Sequence, residues 1–301
     1  MGRSNVGKST LLNAALDLPL AIVSHKPQTT RDRLLGVVRH GCAEIGLLDT
    51  PGFHRASNRL GREMNRAANI GMRDADVIAF VIGLPKTAKA SLKAHRGDLE
   101  LLANVPDGVP VVLVINKIDR LPDKPKLLPL IEAFSEAREF AAVVPISALR
   151  QNGIQRVLDE VARLLPEGQP VFEKDQLTNR PTRYFVAEYI REPILQATHQ
   201  EVPHASAVTI ERFVEAPDGG ALVIHATIHV ERSTQKKIMI GKKGDMLKRI
   251  GTKARLRLEQ LVERKVHLQL WVRVSKDWRQ RADQLASFGL DGSVDGERGE
   301  G

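Results

Sequence analysis

Gly2, Gly7, Lys8 and Ser9 stand in the spacing G-x-x-x-x-G-K-S within the opening "MGRSNVGKST". Glycines at such positions let the backbone N–H groups of a loop, here Gly2, Arg3, Ser4, Asn5, Val6 and Gly7, close on phosphate oxygens, and the next residues, through Thr10, open a helix whose N-terminus favours an anion. Lys8 brings positive charge to the β and γ phosphates, and the Ser9 hydroxyl is a ligand for Mg²⁺. "LLDTPG" ends an apolar run with Asp49, placed to hold the same ion directly or through water, and Thr50, Pro51 and Gly52 follow, with the Gly52 N–H turned to a γ phosphate. "VINKID" ends another apolar run with Asn116, Lys117, Ile118 and Asp119. A carboxylate there accepts both N1–H and N2–H of guanine, a donor pair that adenine lacks. Ser147, Ala148 and Leu149 close a third run, where backbone N–H groups would face the guanine O6. Each group alone is also ordinary turn chemistry after a strand. Together, in this order and each at the C-terminal tip of a strand, they are what a nucleotide site on an α/β sheet requires.

A second centre of chemistry lies in "IMIGKKGDMLKRIG". Gly241-Lys242-Lys243-Gly244 forms a turn between two helical patterns, which lets a nucleic-acid backbone approach closely while the lysines meet phosphates. Ile240 precedes it and Lys248 and Arg249 follow it; Ile238, Ile240, Met246, Leu247 and Ile250 line the apolar part of a groove or serve as core. From Arg232 to Arg281 there are sixteen Lys/Arg and four Asp/Glu, a charge of +12, while the remaining chain sums to −3. All of the net +9 therefore sits in one stretch, which favours a polyanion: nucleic acid first, an anionic membrane surface second. Trp278 is placed to stack on bases; Trp271, on an alternating strand, is read as core.

These residues need two scaffolds. The chain has 301 residues, 42% of them hydrophobic, enough for two cores. The single cysteine, Cys42, rules out an internal disulfide and suits a reducing compartment. The longest apolar runs, "VIAFVIGL" and "VPVVLVI", are too short to span a bilayer and read as strands buried on both faces. Strands are expected at "LLGVVRH" and "AEIGLLD" around a turn at Gly41, then at "DVIAFVIG", "PVVLVIN" and "AAVVPIS". Helices are expected at "KSTLLNAALDL", "SLKAHRGDLELLANV", "KLLPLIEAFSEA" and "GIQRVLDEVARLL". That alternation implies a doubly wound parallel sheet over 1–165. The polar, Pro-rich 166–182 reads as a linker. Residues 183–285 read α-β-β-α-α-β, with the two strands joined at "PDGG", and the apolar-poor tail 286–301 reads as disordered.

At this point the first half resembles the translation-factor-type P-loop GTPases. By that resemblance "PQTTRD" is their first switch, with Thr30 as sensor of the γ phosphate and Mg²⁺, so that Ser9, Thr30 and Asp49 form the metal set and Lys8, Thr30 and Gly52 the catalytic set. Phe53 stands where Ras-like proteins place a water-orienting Gln, which implies slow basal hydrolysis. Some GTPases with a hydrophobic residue there carry an Asn at the position of Asn5 that helps hold a potassium ion; a plain turn-stabilising Asn is the alternative. The second half resembles a type II KH domain. The pairing, with "NVGKSTLLN", "QTTR", "DTPGFH", "NKID", "DQLTNRP", "QEVPH", "VERSTQKKIMIGKKG" and "IGTKAR", resembles the Era family of bacterial ribosome-assembly GTPases as far as about Leu285. The resemblance implies GTP and GDP binding, Mg²⁺, the 3′ end of 16S ribosomal RNA and the small ribosomal subunit as partners, a monomer, and a cytoplasmic protein with peripheral inner-membrane association.

Two substitutions depart from the family pattern. Ser4 replaces the usual Pro of the loop, and Pro193, inside a helical pattern, should kink or end that helix. Only Met1 and Gly2 stand where a strand should precede the loop. That strand is expected in the sheet interior, between the strands ending in Asp49 and Asn116, and the native protein is expected to start upstream of Met1. Two further readings stay open: an RNA-binding KH protein whose G domain is inert, and a membrane-surface GTPase using the basic stretch for lipid.

Overall fold

The computed structural model describes residues 1–54, 56–85, 92–216 and 220–291. The chain divides into two compact units, Met1–Ala56 with Met64–Asn179, and Ser57–Glu63 with the residues from Arg180 onward. In the first, β1 (Leu34–His40) and β2 (Ala43–Asp49) pair antiparallel around the turn at Gly41. Strands β3 (Ile78–Gly83), β4 (Val111–Asn116) and β5 (Ala142–Pro145) form a parallel sheet in that order. β4 is buried throughout, because side chains of alternating residues enter two cores. Phe80, Leu113 and Ile115 join Phe134 on one face; Val81, Val112 and Val114 join Val157 and Val161 on the other. The helices are α1 (Lys8–Leu16), α2 (Arg59–Arg73), α3 (Arg96–Leu102), α4 (Leu128–Ser135) and α5 (Ile154–Leu164). Helix α3 starts later than its sequence pattern suggests, capped by the His95 side chain, which accepts from the Gly97 N–H; Ser91, at the start of that pattern, lies outside the described residues.

Among the described residues no hydrogen-bond ladder joins β2 to β3. Between them Met1–Arg3 fill one end of a gap. The Met1 ammonium donates to Ala79 O at 2.6 Å, the Val81 N–H donates to Met1 O at 2.8 Å, and Arg3 bridges Phe53 in parallel sense. The rest of the gap is a cavity of about 970 Å³, whose lining includes Ile45, Leu47, Ala79, Val81 and Met72. The sequence reading is corrected in one respect: the strand facing β2 across the gap is β3. The strand ending in Asn116 is central, flanked by β3 and β5.

The stretch read as a linker is packed. Glu44 accepts the N–H groups of Val171 and Phe172 at 2.8 and 3.0 Å, and the Val37 N–H donates to Leu177 O at 2.9 Å. Residues up to Asn179 therefore belong to the first unit.

In the second unit α6 (Thr182–Ala197) leads to β6 (Ala207–Glu215), β7 (Ala221–Val230), α7 (Ser233–Ile240), α8 (Asp245–Val262), β8 (Lys265–Val274) and α9 (Ala282–Ser287). β6 pairs antiparallel with β7, and β7 parallel with β8. The β6–β7 turn at 217–219 and the tail 292–301 lie outside the described residues. Contrary to expectation, α6 runs through Pro193, whose ring is buried; just beyond, the Thr198 N–H and hydroxyl both donate to Ile194 O, at 3.1 and 2.7 Å. The residues at 286–291 are also ordered: Phe288 lies 4.4 Å from the His229 ring and 5.4 Å from Trp278.

Candidate nucleotide site and nucleic-acid interface

The loop between Met1 and α1 is shaped by backbone that only small residues allow. Gly7 has φ +104°, and a Cβ there would lie 2.3 Å from Asn116 Nδ2. Gly52 packs on Ser4, where a Cβ would lie 2.6 Å from the Ser4 Cα. The first loop and the Asp49–Gly52 turn are thus in backbone contact.

Three oxygens converge at the start of α1. Ser9 Oγ donates to Asp49 Oδ2 at 2.6 Å, Ser9 and Thr30 hydroxyls lie 2.9 Å apart, and Thr30 Oγ1 donates to Asp49 Oδ2 at 3.2 Å. Asp49 is 4% exposed, and its Oδ1 is buried without a hydrogen-bond partner. Burial raises the Asp49 carboxyl above its usual range, against the pull of Lys8, Ser9 and Thr30. A hard-oxygen set with an unsatisfied carboxylate oxygen suits Mg²⁺, and Ser9, Thr30 and Asp49 would hold it. Lys8 is half-buried, folds back to donate to Gly2 O and Arg3 O at 3.0 Å each, and its desolvation lowers its pKa against the attraction of Asp49.

Asn116 ties the base-reading loops to the phosphate loop. Its Nδ2 donates to Val6 O at 2.9 Å, while its Oδ1 accepts the N–H of Lys117 at 2.7 Å and of Ala148 at 3.0 Å. Lys117 Nζ reaches Asn5 O. Asp119 Oδ1 accepts the Ser147 hydroxyl at 2.5 Å. The expectation that the Ser147 and Ala148 N–H groups face the base is revised: Ser147 N–H donates to Asn152 O and Ala148 N–H to Asn116. Leu149 is 79% exposed and Ile118 packs against the core. Thr10 lies in the first turn of α1, and Thr50 and Pro51 are buried. Phe53 packs against the core cluster around Phe80. Two contributors lie outside the motifs. His25 O accepts Asn5 Nδ2 at 2.8 Å, and the buried Asp98 in the first turn of α3 meets Arg3 at 3.7 Å. An Asp three residues after a capping His was the available signal for Asp98.

In the second unit Gly241, Lys243 and Gly244 have φ of 74°, 51° and 83°, and a Cβ on Gly241 would lie 2.7 Å from Met246 Cβ. The turn between α7 and α8 presents Lys242 and Lys243 to solvent, with Lys248 and Arg249 exposed one turn on. Ile238 is exposed, and Ile240, Met246 and Leu247 are partly so, as a groove requires. Ile250 is fully buried and belongs to the core. The two tryptophans exchange their expected places: Trp278 is fully buried, its Nε1 donating to Ala205 O at 3.0 Å, and Trp271 is exposed.

Fold and site together define a P-loop GTPase domain followed by a type II KH domain. Residues 1–117 match the family model described as 50S ribosome-binding GTPase, and 201–279 match the KH domain model. The chain is 45% identical over 296 residues to GTPase Era of Stenotrophomonas maltophilia (strain K279a), covering 97% of this chain and 95% of the relative. It is 46% identical over 292 residues to GTPase Era of Geotalea uraniireducens (strain Rf4), covering 97% and 96%. A crystal structure of Era in complex with MgGDPNP and nucleotides 1506–1542 of 16S ribosomal RNA superposes with a TM-score of 0.90 at 39% identity, over 96% of both chains. A point variant of Aquifex aeolicus Era bound to GDP·AlF4⁻ gives 0.89 at 39% identity, again over 96% of both. The chain belongs to the Era family of GTPases.

Proposed function

We propose that this protein binds and slowly hydrolyses GTP, binds the 3′ end region of 16S ribosomal RNA, and acts in assembly of the 30S subunit. The observation that carries the reading is the presence, in one chain, of the Ser9–Thr30–Asp49 oxygen cluster and the basic Gly241–Gly244 turn, in a chain that matches along nearly its whole length the Era complex holding MgGDPNP and 16S nucleotides. Lys8 exchanges its two loop carbonyls for the β and γ phosphates, and the loop N–H groups with the α1 N-terminus take the remaining oxygens. Ser9, Thr30 and Asp49 would hold Mg²⁺, which would neutralise charge on the phosphates. Asp119, oriented by Ser147, selects guanine. Phe53 cannot orient water by hydrogen bonding, so basal turnover is slow. Asn5 assists by holding potassium on the phosphate side; its Nδ2 is fixed to His25 O, which aims the side chain. The protein works as a cytoplasmic monomer, and its basic stretch would also serve peripheral attachment to the inner membrane.

The test is titration calorimetry with GTP and GDP, turnover in K⁺ and in Na⁺, and binding of a 16S 3′-end oligonucleotide. Expected are GTP binding, slower turnover in Na⁺ that Asn5→Ala makes equal to K⁺, and tighter RNA binding with a non-hydrolysable GTP analogue. A chain that binds the RNA and takes up no guanine nucleotide overturns the reading in favour of an RNA-binding protein with an inert G domain. Equal rates in the two salts remove the potassium role alone.

A further inference from the structure

The C-terminal sheet has a face that the Gly241–Gly244 groove does not use. Along β8, Lys265, His267, Gln269, Trp271 and Arg273 are exposed, while Val266 and Val272 between them are buried. The exposed set therefore projects from the side opposite the helices that cover the sheet. Trp271 is 44% exposed, and its ring stands edge-on to His225 with centroids 5.3 Å apart. Its cross-strand neighbour is Thr227, and His225 lies beside Gln269. On β6, Arg212 is paired with His225. The indole is thus fixed by a ring contact, among small or flat side chains, with Arg273 two residues further along its own strand and Lys265 about 20 Å back along it.

Among the described residues, the carboxylates near this face are engaged or marginal. Glu215 pairs with Arg264 at 2.6 Å, Glu259 with Arg255 at 3.1 Å, and Glu211 accepts the Thr209 hydroxyl at 2.8 Å; Glu263 stands exposed just beyond α8. A protein interface needs an apolar centre, and among the described residues the large apolar neighbours reduce to Val214 and Val223 at one end. One exposed aromatic ring among unneutralised cations is instead the combination that holds single-stranded nucleic acid, the ring stacking on a base and the cations meeting phosphates.

We propose that the open sheet face is a second RNA contact, separate from the Gly241–Gly244 groove, in which Trp271 stacks on a base and Lys265, Arg212 and Arg273 meet the backbone. The proposal rests on the RNA-binding reading above. The chain carries two tryptophans, and since Trp278 is fully buried, RNA-dependent quenching of indole emission reports Trp271. The full chain is titrated with the 16S 3′-end oligonucleotide, in parallel with Trp271→Ala, Trp271→Phe and the double variant Lys242→Ala/Lys243→Ala. Expected are quenching in the parent, roughly 5- to 150-fold weaker binding for Trp271→Ala, and near-parent binding for Trp271→Phe. The lysine variant should still show quenching, at higher RNA concentration. Unquenched emission, with Trp271→Ala binding as tightly as the parent, overturns this proposal and leaves the RNA reading intact. Quenching by phosphatidylglycerol vesicles and not by RNA overturns it in favour of a lipid surface. A parent chain that binds no RNA overturns both readings.

Discussion

Asp119 shows how a single side chain acquires a function from its neighbours. One carboxylate oxygen is fixed by the Ser147 hydroxyl, which aims the group outward from the tip of β4. Asp119→Asn replaces a double acceptor by an acceptor and a donor, and the new NH₂ opposes a guanine donor but suits the xanthine carbonyl. GTP affinity should fall roughly 10- to 150-fold, as for a lost hydrogen bond to a charged group, and XTP binding should appear. Competition between GTP and XTP for a fluorescent GDP analogue measures both, and an unchanged preference for GTP would contradict the assignment. The place of Asp119 just past the tip of β4 was legible in the sequence, because the apolar run that forms the strand ends at Asn116. The role of Ser147 was not. Which atom of a loop meets which partner depends on how the chain closes in three dimensions, and here the hydroxyl rather than the amide does the orienting.

The turn between α7 and α8 works as an element, since its two lysines are exposed only because Gly241 and Gly244 accept left-handed backbone. Replacing Lys242 and Lys243 by Ala should weaken binding to every single-stranded sequence alike and reduce the slope of log affinity against log salt by roughly 1.4, at about 0.7 per lost phosphate contact. A salt series read by filter binding checks this; an unchanged slope at full affinity would leave the turn a plain helix connector. Elements with strong periodicity were readable in advance. β1 and β2 fall on the segments LLGVVRH and AEIGLLD read as strands, with the turn at Gly41 between. Helix α2 was not anticipated, because Gly61 and Gly71 lower its helix propensity. Gly71 is needed for packing: a Cβ there would lie 2.9 Å from Leu48 Cδ2. The stretch before Asn179 looked like a free linker because its anchor, the Glu44 carboxylate, lies more than a hundred residues earlier in the chain.

At the scale of the whole molecule, stability depends on acid through His229. The ring is buried, bonded to the Thr209 and Ser275 hydroxyls and lying against Phe288, and burial pushes its pKa down from 6.5 to about 4, against the attraction of Glu211. The unfolded chain binds a proton there before the native one does. This contribution is therefore complete above pH 6.5 and is lost as the pH falls towards 4, by on the order of 3 kcal/mol. Urea unfolding of the second unit, followed by Trp278 emission, should lose less stability between about pH 7 and 4.5 in His229→Gln than in the parent; parallel losses would contradict the assignment. In the first unit the central strand has a different consequence. β4 is bonded on both edges and buried on both faces. Amide deuteration should therefore be slow at Val112–Ile115, so that this strand is among the last parts of the domain to open and the loop at its tip, which carries Asn116, hangs on its most durable element.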